Sequence, residues 1–319
     1  MVAAPVLRIG VSTCLLGEEV RFDGGHKRNR FVVDVLAEHC EWVPVCPEFE
    51  MGLGAPRESM RLVEQDGGIR LISQSGIDHT DGMDAFNRAK VEHLATLGLH
   101  GYVLKKDSPT CGMERVKIWH RDGGGNERKG VGLFARDLLD RLPLLPIEEE
   151  GRLHDLPIRE NFIERIFAYY RWTELVASDP RPKDLVAFHT AHKMTLMAHD
   201  TGERYRELGR LVADAGAQDI DGLLASYGPL FMEVLRERAT PKKHANVLQH
   251  LMGYLKAELD GPDKEELLAR IDEYRVGLVP LIVPLTLLAH HFRRHPVDWV
   301  MQQTYLAPYP AELMLRNHV

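Results

Sequence analysis

Three short apolar runs constrain what this chain can fold into more than any other feature. Residues 6–12, 42–45 and 101–104 are rich in β-branched and large apolar side chains, the signature of buried strands. The middle run is so brief that it reads as an interior strand. Each run is closely followed by a cysteine in a turn that carries glycine or proline: Cys14 before Gly17, Cys46 before Pro47, and Cys111 between Pro109 and Gly112. In a parallel sheet the carboxyl ends of the strands lie on one edge, where open α/β sheets bind their ligands. Three thiols separated by 32 and 65 positions can therefore converge. Cysteine is a common buried filler, but a filler needs no such turn, so a functional reading is favoured.

The pattern between these runs alternates strand with helix. Phe31, Val32, Val35 and Leu36 keep helical spacing and predict a first crossover helix over residues 29–40, with Cys40 near its end as a semi-buried filler. Residues 60–63 and 69–72 flank Gly67 and Gly68 and read as a hairpin or a pair of strands. Asp78, His79, Thr80 and Asp81 offer capping chemistry for a helix over about 82–97. A further strand is expected at 116–120, a glycine tip at 123–125 and a helix at 134–142. This alternation predicts an α/β domain over residues 1–150, with a doubly wound, Rossmann-like, mostly parallel sheet. The composition shifts at 143–146 and at the acidic run Glu148, Glu149 and Glu150, which reads as a boundary. Residues 151–319 show no strand pattern and predict an all-α domain, with helices near 157–176, 183–198, 202–214, 219–239, 241–258 and 263–277 and more helix after Pro284. Asp179-Pro180 and Thr240-Pro241 look like helix starts with proline in the first turn.

The apolar stretch 276–289 is broken by Pro280 and Pro284 and is too short to span a bilayer. Residues 1–5 lack the charged and apolar blocks of a signal peptide. Four irregularly spaced cysteines do not form a secreted disulfide framework. A cytoplasmic protein with reduced thiols is expected, and no membrane partner. The net charge of −7 gives no global sign of nucleic acid binding, so any such role must rest on a local patch.

Three converging thiolates suit zinc or an iron–sulfur cluster. Structural zinc wants a fourth ligand, which His26 could supply. A cluster on three cysteines leaves one iron open to substrate, with Glu48 and Ser108 near two of the thiols for acid–base work. A single nucleophilic cysteine is the third option. Spacing alone leaves these open.

The residues Val11 to Gly17, Arg21 to Gly24, Val45 to Glu48 and Lys105 to Gly112 resemble, in order, the motif set of the thiouracil desulfurase (TudS) family. The resemblance spans most of residues 6–150. It implies a 4Fe-4S cluster held by Cys14, Cys46 and Cys111, a substrate sulfur at the fourth iron, and Glu48 with Ser108 as the catalytic acid–base pair. Phe22 stands where the family often has tyrosine. Arg21, Asp23, Arg28 and Arg57 are candidates to clamp the polar groups of a nucleotide. The stretches Phe188 to Lys193, His244 to His250 and Leu306 to Pro310 resemble the helical domain of the RudS-type tRNA 4-thiouridine desulfidases. That resemblance covers most of residues 157–319 and implies thiolated tRNA as substrate, with the helical half helping to bind it. The implied reaction is a non-redox, hydrolytic desulfuration of 4-thiouridine to uridine with release of sulfide. The alternatives are a desulfurase confined to free thiouracil or nucleosides, and a zinc- or cluster-stabilised module that binds RNA or protein without chemistry.

Physical support for RNA in the helical half is local. From Gly151 onward 21 Lys and Arg face 23 Asp and Glu, close to neutral. Yet His189, His192 and Lys193 share one broad side of a helix, and Arg236, Lys242, Lys243 and His244 cluster around Thr240-Pro241, so both groups are candidate phosphate contacts. A solvated helix face is the bland reading of the same residues.

Overall fold

A computed structural model of the chain describes residues 6–65, 67–120, 124–217 and 219–319. The chain divides between His154 and Asp155 into two compact units. The amino-terminal residues 1–5 and the first residue of the expected glycine tip, Gly123, lie outside the described residues.

The first unit is built on two sheets. Strands β1 (Leu7–Ser12), β2 (Cys40–Val45), β5 (Gly101–Leu104) and β8 (Ile147–Glu149) form an all-parallel sheet in the order β2-β1-β5-β8. β1 and β5 occupy the centre, which is why they read as near-continuous apolar runs. Strands β3 (Met60–Gln65), β4 (Gly68–Ser73), β6 (Val116–His120) and β7 (Asn126–Gly130) form a mixed sheet in the order β4-β3-β6-β7. Its inner face packs Leu62, Leu71, Val116 and Ile118 with Met83 of helix α1 (Thr80–Ala95) and Leu133 of helix α2 (Leu133–Arg141).

Three expectations change here. β2 is an edge strand, not an interior one, and this accommodates Pro44, which has no N–H to give a neighbour. Cys40 does not end a helix; it opens β2. The expected crossover helix is a wide turn, Phe31–Val35, followed by a tight 3₁₀ turn, Leu36–His39, with the chain bent at Val35 between them.

The acidic run is a larger correction. Glu148, Glu149 and Glu150 are buried, the first two as part of the sheet strand β8 rather than of a linker. Each acid has partners that make its burial tolerable. Glu150 accepts from Lys105 Nζ at 2.6 Å and from the Lys106 N–H at 2.7 Å. Glu149 Oε1 accepts from the Met113 N–H at 2.7 Å, and Glu148 pairs with Arg152 Nε at 2.7 Å.

The second unit is helical: α3 (Leu156–Ala177), α4 (Pro182–His199), α5 (Glu203–Ala213), α6 (Ile220–Arg236), α7 (Pro241–Met252), α8 (Gly261–Arg275), α9 (Ile282–Arg294) and the short α10 (Asp298–Met301). α7 starts at Thr240 as expected, with the hydroxyl capping the Lys243 N–H and Pro241 in the first turn. α4 matches the helix expected near 183–198, but its cap is Arg181 with Pro182 in the first turn and not Asp179-Pro180. One core joins α4, α7, α8 and α9 through residues such as Met194, Leu248, Leu267 and Leu288. A second centre is aromatic, with Trp172 ringed by Phe188, Tyr227 and Phe231 at centroid distances of 5.6–6.3 Å. Among the described residues no helix is long and apolar enough to cross a membrane.

Candidate active site

The carboxyl edge of the parallel sheet opens into a cavity of about 400 Å³. Cys14 lies in the 3₁₀ turn Thr13–Leu16 directly after β1, and Cys46 is the first residue beyond β2. Cys111 comes in on the loop that follows β5. All three thiols line the cavity, together with Glu48 and Ser108, and all are free of disulfides. Burial raises each thiol pKa, that of Cys14 to about 11 with neighbouring Cys46 adding to the effect. The thiols therefore stay protonated until a cationic group enters among them.

The Cys111 loop is held from two directions. Glu149 and Glu150 grip it near both ends, at Met113 and Lys106. The start of α2 grips its middle. The Leu133 N–H donates to the Pro109 carbonyl at 3.2 Å, and the Ala135 N–H donates to the Thr110 carbonyl at 3.0 Å. First-turn N–H groups have no partner within a helix, so here the loop caps the helix and the helix fixes the loop. The contact needs Gly132, where a Cβ would stand 2.4 Å from the Thr110 carbonyl oxygen. Gly132→Ala is expected to push the Cys111 loop aside and to destabilise the unit by about 1–3 kcal/mol, read as a lowered Tm in thermal unfolding.

Glu48 is positioned with equal care. Its Oε2 is paired with the Arg57 guanidinium, and its Oε1 accepts from Thr110 Oγ1 at 2.9 Å. Arg57 Nη1 is in turn spent on the carbonyls of Val20 and Gly54, each at 2.8 Å. Ser108 Oγ accepts from the Cys111 N–H at 3.1 Å and lies 3.0 Å from Thr110 Oγ1. With the Thr110 proton directed to Glu48, the Ser108 proton is directed to Thr110. A hydrogen-bonded line Ser108–Thr110–Glu48 results. Thr110, 1% exposed, has no place in the sequence reading; its only signal is its position between Ser108 and Cys111.

The other candidate residues divide. Arg21 and Arg57 line the cavity, but Arg57 is committed to Glu48 and so is not a free substrate clamp. Asp23 and Arg28 do not line it. Asp23 accepts from the Gly25 N–H at 3.2 Å, and Arg28 is paired with Asp34. Lys105, Lys27 and the ring of Phe22, 42% exposed, complete the mouth. His26 lies outside the cavity wall and its Nδ1 accepts from the Arg28 N–H at 3.2 Å, so it is not placed as a fourth ligand. Among the described residues no three His, Cys, Asp or Glu side chains are placed to hold one metal ion. The cavity that the three thiols line has room for a group several atoms across.

In the helical unit three expected RNA contacts are overturned by burial. His189 is 8% exposed and meets Tyr227 Oη at 3.0 Å. His192, 2% exposed, uses Nδ1 on the Phe188 carbonyl and Nε2 on Arg171. His244, 4% exposed, bonds Tyr305 Oη at 2.8 Å. They are core histidines with satisfied partners. Lys193, Arg236 and Lys242 are exposed, while the half-buried Lys243 gives its ammonium to the His199 carbonyl.

Residues 9–150 match the 2-thiouracil desulfurase family, and residues 193–310 match a family described as a protein of unknown function (DUF1722). The uncharacterized protein YbgA of Escherichia coli (strain K12) is 33% identical over 154 residues, which are 48% of this chain and 90% of YbgA. Residues 9–150 belong to the 2-thiouracil desulfurase family. The uncharacterized protein YbbK of Bacillus subtilis (strain 168) is 27% identical over 131 residues, 39% of this chain and 85% of YbbK. A solved structure described as the [4Fe-4S]-dependent thiouracil desulfidase TudS is 29% identical, covers 48% of this chain and 97% of its own, and superposes with a TM-score of 0.39. The desulfurase match takes in the whole cavity, including all three thiols, Glu48, Ser108 and Thr110.

Proposed function

We propose that this chain removes sulfur from thiolated uracil, with 4-thiouridine in tRNA as its substrate and a [4Fe-4S] cluster on Cys14, Cys46 and Cys111. The observation that carries this reading is that one cavity at the sheet edge gathers three thiols and an anchored carboxylate, within residues that belong to the 2-thiouracil desulfurase family. The donor set suits the cluster: three soft thiolates line one cavity of about 400 Å³.

When bound, the cluster supplies a Lewis acid for the thiocarbonyl sulfur. The protein supplies the proton handling. Glu48, held with one oxygen on Arg57 and the other on Thr110, takes a proton from the water that attacks the ring carbon. The Ser108–Thr110 line gives that carboxylate a second route for a proton. The C–O bond forms and the C–S bond breaks. Water ends divided between the uracil oxygen and hydrogen sulfide, so no electron donor or acceptor is required. Phe22 at the mouth offers a ring face to the entering base, and Arg21 and Lys27 offer positive charge to its oxygens. Thr110→Val keeps the shape of the site and cuts the line to Ser108; kcat is expected to fall about tenfold or more, with sulfide release as the readout.

The helical unit contributes to holding tRNA through exposed cations such as Lys193, Arg236 and Lys242. The decisive experiment is anaerobic. Protein isolated without oxygen should be brown and contain iron and acid-labile sulfide, about four of each per chain, and should release sulfide from 4-thiouridine-containing tRNA. Colourless protein with stoichiometric zinc, or brown protein inert toward every thiolated uracil, would overturn the reading.

A further inference from the structure

The outer face of the second sheet carries a charge pattern that stability alone would not select. Leu62 pairs with Leu71 and Ile118 on the core side, so Arg61, Val63, Lys117 and Trp119 point to the other side. Because Leu62 is opposite Ile118, Arg61 stands beside Lys117, and Lys117 is directly opposite Arg128. Three cations therefore lie in line across β3, β6 and β7. Like charges directly opposite on a sheet oppose strand pairing. Arg128 is relieved by Asp107 at 3.0 Å, but among the described residues neither Arg61 nor Lys117 has a carboxylate partner. Arg61 instead lies over the Trp119 ring, 5.4 Å from its centroid.

These residues border a groove of about 290 Å³. Met60, Asp107 and Pro109 line both this groove and the thiol cavity, so the two adjoin across these residues. The place where a thiolated base would react thus adjoins a surface with an aromatic ring and cations that have no carboxylate partner among the described residues. That is the combination by which proteins hold single-stranded nucleic acid: positive charge along the backbone and a ring for a base to stack on.

We propose that this groove binds the nucleotides adjoining the thiolated base in an RNA strand, with Trp119 stacking on a neighbouring base and Arg61 and Lys117 taking phosphates. The assignment rests on the desulfurase reading above and adds an RNA track within the desulfurase unit itself. It also explains how one cavity could serve free bases and bases within a chain, since a free base fills the cavity alone.

The test uses the full chain with its cluster and a short single-stranded RNA carrying one internal 4-thiouridine, beside free 4-thiouracil. Arg61→Glu combined with Lys117→Glu should raise KM for the RNA on the order of tenfold and flatten its salt dependence by about 0.7 per cation removed. Turnover of free 4-thiouracil should be unchanged. Trp119→Leu should weaken RNA binding about tenfold, and Trp119→Phe should restore most of it, because stacking tolerates any ring. Fluorescence anisotropy with unthiolated RNA of the same sequence gives the affinity without any chemistry. If the variants bind that RNA as wild type does, or if free-base turnover falls together with RNA turnover, the track is wrong. If no thiolated uracil is turned over by wild type, the desulfurase reading fails, and the anisotropy result still decides the groove.

Discussion

Glu48→Gln is expected to lower sulfide release by roughly 10²–10⁴-fold while the protein keeps its brown colour and its fold. Glutamine preserves the shape of the side chain, and its amide oxygen can still accept from Thr110. It cannot take a proton from attacking water. Arg57 loses its anionic partner, but the Val20 and Gly54 carbonyls remain to hold its Nη1. The structural cost is therefore limited to about 1–3 kcal/mol, the scale for a buried donor deprived of one partner. Glutamine is preferred to alanine for this reason: with only 6% of the Arg57 side chain exposed, alanine would leave a buried cation facing a void. Visible absorption, thermal unfolding and sulfide release from 4-thiouracil and from tRNA separate the effects. Retained turnover would remove Glu48 from the chemistry, and a colourless variant would make it a structural residue of the cofactor pocket.

The part of this site that was legible in the sequence is the part encoded by local strand ends. Cys14 and Cys46 each follow an apolar run within two residues, and the topology of parallel strands carries them to one edge without any knowledge of the loops. Cys111 needed more, because six residues stand between it and the end of β5. The illegible parts depend on partners distant in sequence. Three consecutive glutamates look like a linker because buried carboxylates are rare, and only their pairing with Lys105, Arg152 and the Met113 N–H turns them into a strand. Arg57 looked like a substrate clamp because nothing local revealed its commitment to Glu48 nine positions away. The histidines of α4 and α7 looked like a basic face because their helical spacing was read without the rings of Tyr227 and Tyr305 that cover them. Trp119 and its neighbouring cations required the strand register, and β7 was not anticipated at all.

Arg316→Met should unfold the helical unit more readily, by about 3–5 kcal/mol, the cost of breaking a buried ion pair by removing one partner. Glu160 and Glu164 lie one turn apart on α3, both buried, so their charges repel across a short distance in a poorly screened interior. Arg316 answers both, at 3.7 Å from Glu160 and 3.7 Å from Glu164, while its Nη1 donates to the Tyr305 carbonyl at 2.5 Å. His199 Nε2 meets Glu164 at 2.8 Å and Tyr309 Oη donates to Glu160 at 2.9 Å. Burial, reinforced by Glu164, pushes the Glu160 carboxyl above the usual range. Burial acts in the same direction on Glu164, but His199 and Arg316 outweigh it and hold that carboxyl low. Without the guanidinium the Glu160 carboxyl rises further above its unfolded value, and Glu164 loses part of what holds its own carboxyl low. A carboxyl raised in the folded state binds its proton more tightly than the unfolded chain does, so its penalty is absent at low pH and grows as pH rises through the folded value. The loss in Arg316→Met should therefore be smaller at pH 5 than at pH 8, by urea unfolding followed through helix content. Equal losses at the two pH values would show that Arg316 acts by packing against Tyr305 and Tyr309 and not by its charge. Preserved stability at both would show that the two acids share a proton in the wild type and need no cation.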